Sequence, residues 1–308
     1  MTLFPAIVAL VIEQYRPLPV QRWVVAPLTR CFAFLDRQFN DGQYRHGILA
    51  WLFGVAAPAL LLNIAYLFLV DSYPLAALLL TIATLYLTMG FRQFSHYFTN
   101  LQLVLRAGDL DRARTLLAEW RGRSGDRLGS NEIARLAMEQ ALIASHRHVF
   151  APLVCFGLFG PGGALFYRLA QFAQEYWKDS HPEIEAARFG KFSQRAFRVI
   201  DWLPLRLTAI GFAVTGDFED AIFCWRTQAA GWPEPEQGVL LASGAGAMGV
   251  RLGLPIQDSV AGVEDRPEMG LGDDADADFM QSATGLAWRT LVLYFLVMAL
   301  IWIAGWIN

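Results

Sequence analysis

Long uncharged apolar runs near both ends of the chain bracket a middle crowded with arginine. No residue from Gly47 to Val70 carries a charge, and Pro74 to Phe91 repeats the pattern after the short break Asp71-Ser72-Tyr73. Thr290 to Ile307 is again uncharged and rich in Leu, Ile, Val and Trp. An apolar helix of about 20 residues matches a ~30 Å hydrocarbon layer and satisfies its own backbone hydrogen bonds there. The pattern therefore predicts an all-α, multi-pass membrane protein with a helical cytoplasmic body.

Other segments are less regular. Val149 to Tyr167 is apolar, but Gly160-Pro161-Gly162-Gly163 breaks it in the middle. Each half is too short to span, which predicts a re-entrant, Gly/Pro-broken segment. Leu203 to Trp225 contains Arg206, Asp217, Glu219 and Asp220 and is expected to be a half-buried helix pair. The apolar stretch Met1 to Glu13 is too short to cross and has no basic region or cleavage site of a signal peptide; an interfacial or packed helix is expected. Leu110, Ala113, Leu116, Leu117 and Trp120 share one face of a helix capped by Asp109. A Gly- and Arg-rich loop, 122–129, then leads to an amphipathic helix over Asn131 to Ser145. Gln257 to Gln281 is acidic and rich in Gly and Ala, a composition that predicts a mobile linker. The expected organisation is an N-terminal helical segment (1–46), a transmembrane hairpin (47–91), a helical body (92–256), the acidic linker (257–281) and a C-terminal transmembrane helix (282–308).

Charge adds orientation. Only 17% of the 308 residues are charged, below the ~25% usual for soluble domains. Arg16, Arg22, Arg30, Arg37 and Arg45 precede the first apolar run, and no Lys or Arg lies between the first two. Arg92, Arg106, Arg112, Arg114, Arg121, Arg123, Arg127, Arg135 and Arg147 follow. Arginine excess marks the cytoplasmic side, so the N-terminus and the middle of the chain are expected there, with the turn at Asp71–Tyr73 facing away. A net charge of −3 argues against nucleic acid as a partner. The partners expected are the lipid bilayer and either a small-molecule ligand or a protein. Three scattered cysteines, Cys31, Cys155 and Cys224, form neither a disulfide framework nor a metal-ligand spacing.

Few motifs carry chemistry. Gly244-Ala245-Gly246-Ala247-Met248-Gly249 matches the spacing of a dinucleotide-binding turn, but no βαβ unit surrounds it. Small residues at four-residue spacing also permit close helix packing, and packing is the expectation here. No P-loop is present. His146 and His148 point to different faces of a helix, and His46, His96 and His181 are isolated, so no metal site is expected. Arg168 and Arg206 sit against apolar segments, where charges are paired, functional or snorkelling to the interface.

Several stretches together resemble the CobD/CbiB family. They are Leu105 to Arg114, Asn131 to Arg135, Ala151-Pro152-Leu153, Phe189-Gly190, Trp202 to Ala209 and Gly246 to Gly253, across roughly Gly47 to Leu254. The resemblance implies relatedness to membrane-bound adenosylcobinamide-phosphate synthases of cobalamin biosynthesis. Met1 to Phe4, Ile200 to Leu207 and the single C-terminal helix look most like AmpE, a shorter relative linked to β-lactamase induction and peptidoglycan recycling.

The departures from the synthase pattern matter. Ile143-Ala144 and His146-Arg147-His148 stand where that pattern carries Glu-Asn and Ser-Asp-Gly. Gln171 to Gln174 replaces Asn-Thr-Leu-Asp, Phe197-Arg198 replaces Asp-Asp, and Ser-Pro-Asn-Ala-Gly is not recognisable before Gly231-Trp232-Pro233. Each change removes a carboxylate or amide. Amide-bond formation driven by nucleotide cleavage uses oxygen ligands for a magnesium-bound phosphate and a base for the amine. The expectation is thus a non-synthase, AmpE-like member in the bacterial inner membrane, acting in envelope signalling or cell-wall recycling. It carries no assigned catalytic residue, metal or cofactor. The alternative is a cobinamide-phosphate synthase joining cobyric acid to an aminopropanol phosphate, and only that alternative calls for magnesium and nucleotide. Glu139, Arg168, Asp201 and Arg206 retain charge where the relatives are polar, which makes them the expected ligand contacts.

Overall fold

The computed structural model describes residues 3–16, 18–122, 127–179, 187–258 and 262–307. These are nearly all helical, as the apolar periodicity implied. In chain order the helices are α1 (Leu3–Tyr15), α2 (Ala26–Phe39), α3 (Tyr44–Trp51), α4 (Ala57–Ser72), α5 (Pro74–Thr88) and α6 (Phe91–Arg106). They continue with α7 (Leu110–Arg121), α8 (Ser130–Ser145), α9 (Ala151–Asp179), α10 (Ala187–Thr215), α11 (Phe218–Gln228) and α12 (Pro235–Met248). Five short strands follow, β1 (Val250–Gly253), β2 (Ile256–Asp258), β3 (Gly262–Glu264), β4 (Glu268–Met269) and β5 (Asp273–Asp274), before α13 (Met280–Ile307). Of the expected loop 122–129, positions 123–126 lie outside the described residues, as does His181.

Among the described residues, three helical stretches are long and apolar enough to cross a bilayer: Tyr44–Ser72, Ser130–Lys178 and Met280–Gly305. The apolar windows of the first and last are only 17% and 22% buried within the protein. Leu60, Leu61, Ile64 and Phe68 on α4 and Val292, Leu296, Leu300 and Ile301 on α13 are exposed. Continuous apolar surface of this kind is stable against hydrocarbon and not against water. The chain is a membrane protein.

The chain forms two compact units that interleave in sequence. One comprises 1–90, 151–204 and 302–308; the other comprises 91–150 and 205–301.

In the first unit, α1 packs on α5, and α4 and α5 pack on α9. Its core gathers aromatic side chains: Phe32 meets Phe172 and Trp177 at ring distances of 5.3 Å, and Trp177 meets Phe189 edge to face. The break expected at Gly160 is a chain reversal. Gly160 has φ 71° and ψ −162°, which divides α9 into two helical pieces. A Cβ on Gly163 would collide with the carbonyl oxygen of Cys155 and lie 2.7 Å from Phe159 Cβ. Residues eight apart on a straight helix are about 12 Å apart along the axis, so the two pieces fold back on each other. Gly162 presses on α4 at the same place, where its Cβ would lie 2.7 Å from Asn63 Cβ and 2.9 Å from the Ala59 carbonyl.

In the second unit, α6 packs on α7 and α8, and α12 packs on α11, α8 and β1. Asp109 caps α7 as expected, its carboxylate accepting from the Arg112 N–H at 3.1 Å. Gly246 fits against α11, where a Cβ would approach Ala221 Cα to 2.9 Å, and Gly244 meets Leu142. Gly244 and Gly246 thus lie within α12 and serve helix packing, Gly249 ends the helix with φ 68°, and among the described residues no βαβ unit surrounds the pattern.

The segment expected as an acidic linker differs most from expectation. β1 is the middle strand of a three-stranded sheet with order β4-β1-β5. Leu252 pairs with Met269 antiparallel, and Val250 pairs with Asp273 parallel. β2 and β3 form a separate antiparallel pair. Met269 and Ala275 are buried, and Arg251 reaches Asp274 at 2.8 Å. Much of the acidity is therefore the polar edge of a small packed sheet. Composition could not show this, because the strands borrow their apolar cover from α8 and α12.

Candidate functional site

The second unit contains a small cavity of about 330 Å³. Its first wall is α8. Glu132 reaches back to the Gly129 N–H at 2.7 Å and closes the helix start. Leu136, Glu139 and Ile143 then fall on one face at helical spacing, with Gln140 beside them, and all four line the cavity. Trp232-Pro233-Glu234 enters from the turn before α12, Gln237 and Leu241 from α12 itself, and Arg121 from the end of α7. Arg266, between β3 and β4, completes the lining.

An ion pair between Glu139 and Arg266 dominates the wall. Their side chains are 7% and 6% exposed, so both charges are almost out of water. Glu139 Oε2 accepts from Arg266 Nη2, and Glu139 Oε1 accepts from the Gly253 N–H of β1 at 2.9 Å. Both carboxylate oxygens are thus engaged, which is what a buried carboxylate needs. The Arg266 guanidinium also lies over the Trp232 ring, 4.8 Å from its centroid. Its Nη1 is buried and has no hydrogen-bond partner.

The loop carrying Arg266 is fixed from the other side. Gln228 at the end of α11 bonds both backbone groups of Gly270. Cys224, one turn earlier on α11, is buried. Burial, reinforced by the Asp220 charge, pushes its thiol up to about 11.

Of the four side chains expected to contact a ligand, Glu139 lines the cavity, but its oxygens hold Arg266 and Gly253. Arg206 belongs to the same unit, half-buried on α10, and does not line the cavity. Arg168 and Asp201 belong to the first unit. There Asp201 accepts from Tyr167 Oη at 2.8 Å, and Arg168 donates to Gln171 Oε1 at 2.7 Å. Gln171 in turn donates to Glu175 Oε1 at 3.2 Å, forming a polar ladder along α9.

Arg266 and Trp232 were not singled out from the sequence. Arg266 is the sole basic residue of the acidic stretch 257–281, and that isolation is the signal that could have found it. Trp232 stands in the string Gly231-Trp232-Pro233 and carries no separate signal.

Among the described residues no three His, Cys, Asp or Glu side chains converge. His146, one of the substituted motif positions, lies in the π-type turn His146–Phe150 and pairs with Thr208 Oγ1 at 2.9 Å.

Comparison with known proteins identifies the family. The CobD/Cbib protein family matches residues 6–287. The chain is 32% identical over 278 residues to Cobalamin biosynthesis protein CobD of Stutzerimonas stutzeri (strain A1501), covering 89% of this chain and 88% of that one. It is 34% identical over 180 residues to the protein of the same name from Chromobacterium violaceum, covering 58% and 57% respectively. A third protein of that name, from Mycobacterium tuberculosis (strain ATCC 25618 / H37Rv), is 29% identical over 192 residues, covering 60% and 59%. These relatives carry the CobD name and not AmpE, which favours the alternative of the sequence analysis over its main expectation. No solved structure matches. The chain belongs to the CobD/CbiB family.

Proposed function

We propose that this CobD/CbiB-family chain acts in cobalamin biosynthesis at the bacterial inner membrane, at the step joining cobyric acid to an aminopropanol phosphate through an amide bond. The observation that carries this reading is similarity across nearly the whole chain to a relative named for that pathway. The cavity supports it through size and chemistry. About 330 Å³ is at the small end of ligand pockets and suits the smaller of two joined molecules. Its mixed wall of guanidinium, amide and indole groups suits a polar ligand with a short apolar part. Under this reading Glu139 is a positioning residue that orients Arg266, and Trp232 fixes the guanidinium plane.

Complementation tests the reading: the gene is expressed in a strain lacking its cobinamide-phosphate synthase, under cobalamin-dependent growth. Growth is expected. No growth, with the chain present in the membrane, overturns the assignment.

A second reading rests on the motif substitutions. Ile143 occupies the cavity wall where the synthase pattern has a carboxylate, and Glu139 and Glu234 there already accept hydrogen bonds. A scaffold that binds a ligand without forming the amide, AmpE-like and acting in envelope signalling or β-lactamase regulation, fits that wall. Failed complementation together with altered β-lactamase induction on deletion selects it.

A further inference from the structure

In the first unit, α2 has two apolar faces where a surface helix ordinarily has one. The π-type turn Gln21–Val25 runs into α2 without a break, so Gln21 to Phe39 is one helical stretch. Leu28, Phe32, Leu35 and Phe39 recur every three or four residues and pack into the aromatic core. Trp23, Pro27, Arg30, Phe34 and Arg37 recur at the same intervals on the other side, and all five are exposed. Trp23 is 63% exposed and Phe34 60%, and both rings sit beside guanidinium groups. Arg22, Arg30 and Arg37 form no ion pair with any described residue. Asp36, the sole acid of the stretch, accepts from the Asn40 side chain at 3.0 Å.

The direction of α2 is also fixed. A Cβ on Gly54 would lie 2.8 Å from Leu35 Cδ1 and 3.3 Å from Phe32 Cζ. Phe39 stacks on Phe53 with ring centroids 5.9 Å apart. Phe32 to Phe39 covers about 10 Å of helix, yet all three side chains meet the same point of the stretch Tyr44–Ser72. The helix α2 therefore crosses that membrane-spanning stretch steeply instead of running beside it. The crossing lies where the span turns to lipid: Trp51 is buried, whereas Leu52 and Phe53 are exposed.

We infer that α2 lies in the plane of the membrane surface and binds the headgroups of anionic phospholipid through Arg22, Arg30 and Arg37. Trp23 and Phe34 dip between the lipids, because an aromatic ring suits the boundary of headgroup and acyl chain. The arginines stay at phosphate level and meet opposite charge there. The inner face then holds the far half of α9, through Phe172 and Trp177, at that same surface. The inference rests on the chain being a membrane protein and is independent of the reaction it performs.

The test uses the full-length protein in phosphatidylcholine vesicles, with a fluorophore on Cys31. That thiol is exposed on the outer side of α2, whereas Cys155 and Cys224 are buried. Lipid spin-labelled at the headgroup is expected to quench the fluorophore more strongly than lipid labelled deep in the acyl chain. Spin-labelled phosphatidylglycerol is expected to quench at about fivefold lower mole fraction than spin-labelled phosphatidylcholine, the scale of one arginine–lipid contact. That preference is expected to vanish in the triple variant Arg22→Gln, Arg30→Gln, Arg37→Gln. Quenching by aqueous iodide alone overturns the inference, since α2 then faces water. So does protection from both iodide and lipid, as a protein partner or a second copy covering the helix would give. Equal quenching by the two lipids in the parent also overturns it, as does a preference that the triple variant keeps. If the triple variant does not fold, the parent's choice between the two lipids decides.

Discussion

Gln228 and Gly270 form a two-way amide clasp: the Gln228 side chain donates to the Gly270 carbonyl at 3.1 Å and accepts from the Gly270 N–H at 2.6 Å. Gly270 has φ 92°, and a Cβ there would collide with the Val250 carbonyl and lie 2.6 Å from Ala245 Cβ. The clasp pins the end of the loop on which Arg266 is carried. Gln228→Ala leaves both Gly270 groups without their partner and is expected to cost about 1–3 kcal/mol. The measurement is denaturant or thermal unfolding in detergent. Gly270→Ala is expected to be worse, because backbone strain and a clash act together. Equal stability of Gln228→Ala and the parent would mean that the clasp contributes nothing.

The Glu139–Arg266 pair makes a sharper prediction. Glu139→Ala strands a guanidinium in an almost dry site and is expected to destabilise by about 3–5 kcal/mol. Replacing both partners, as Glu139→Leu with Arg266→Met, removes the stranded charge and is expected to recover most of that loss. A double-mutant cycle on unfolding free energies reads the coupling directly. Simple additivity of the two single losses would show that the charges do not interact.

The reversal in α9 predicts a contrast between neighbouring glycines. Gly163→Val places side-chain atoms against the Cys155 carbonyl. Gly157→Ala meets nothing within 4 Å. The first is expected to abolish folded protein in the membrane, judged by yield and by size-exclusion behaviour in detergent. The second is expected to behave like the parent. Matching behaviour of the two would mean that the halves of α9 do not fold back.

Cys224 supplies a pH prediction. Its thiol is held as the neutral form up to about 11 by burial and by Asp220, against an ordinary 9.0. Alkylation requires the thiolate, so modification of Cys224 in the folded protein is expected to rise about tenfold per pH unit until that value. Exposed Cys31 is expected to react first at pH 8, as read by mass spectrometry of the labelled protein. The folded chain holds this proton more tightly than the unfolded chain. This contribution to stability is therefore complete below 9.0 and fades as the pH rises toward 11.

Several features were legible in the chain itself because they depend on local periodicity or on steric rules. The apolar runs gave the membrane-crossing stretches, Asp109 gave a helix start, and Gly160-Pro161 gave a break that no straight helix tolerates. The motif segments pointed to the family, because such a resemblance is carried by short linear strings. The site was not legible in that way. Glu139 and Arg266 are 127 positions apart, and Arg266 sits among acidic residues whose composition suggests a solvated linker.

Hydropathy along the chain fixed which segments seek hydrocarbon, because a helix satisfies its own backbone and its solvent is then chosen by side chains alone. Tertiary packing decided where Arg266 lies, because a short strand has no cover of its own until α8 and α12 provide it. That same packing paired Glu139 with Arg266 and Gly253 beside a cavity. Burial of a charge depends on what surrounds it in space, and a linear sequence does not record that.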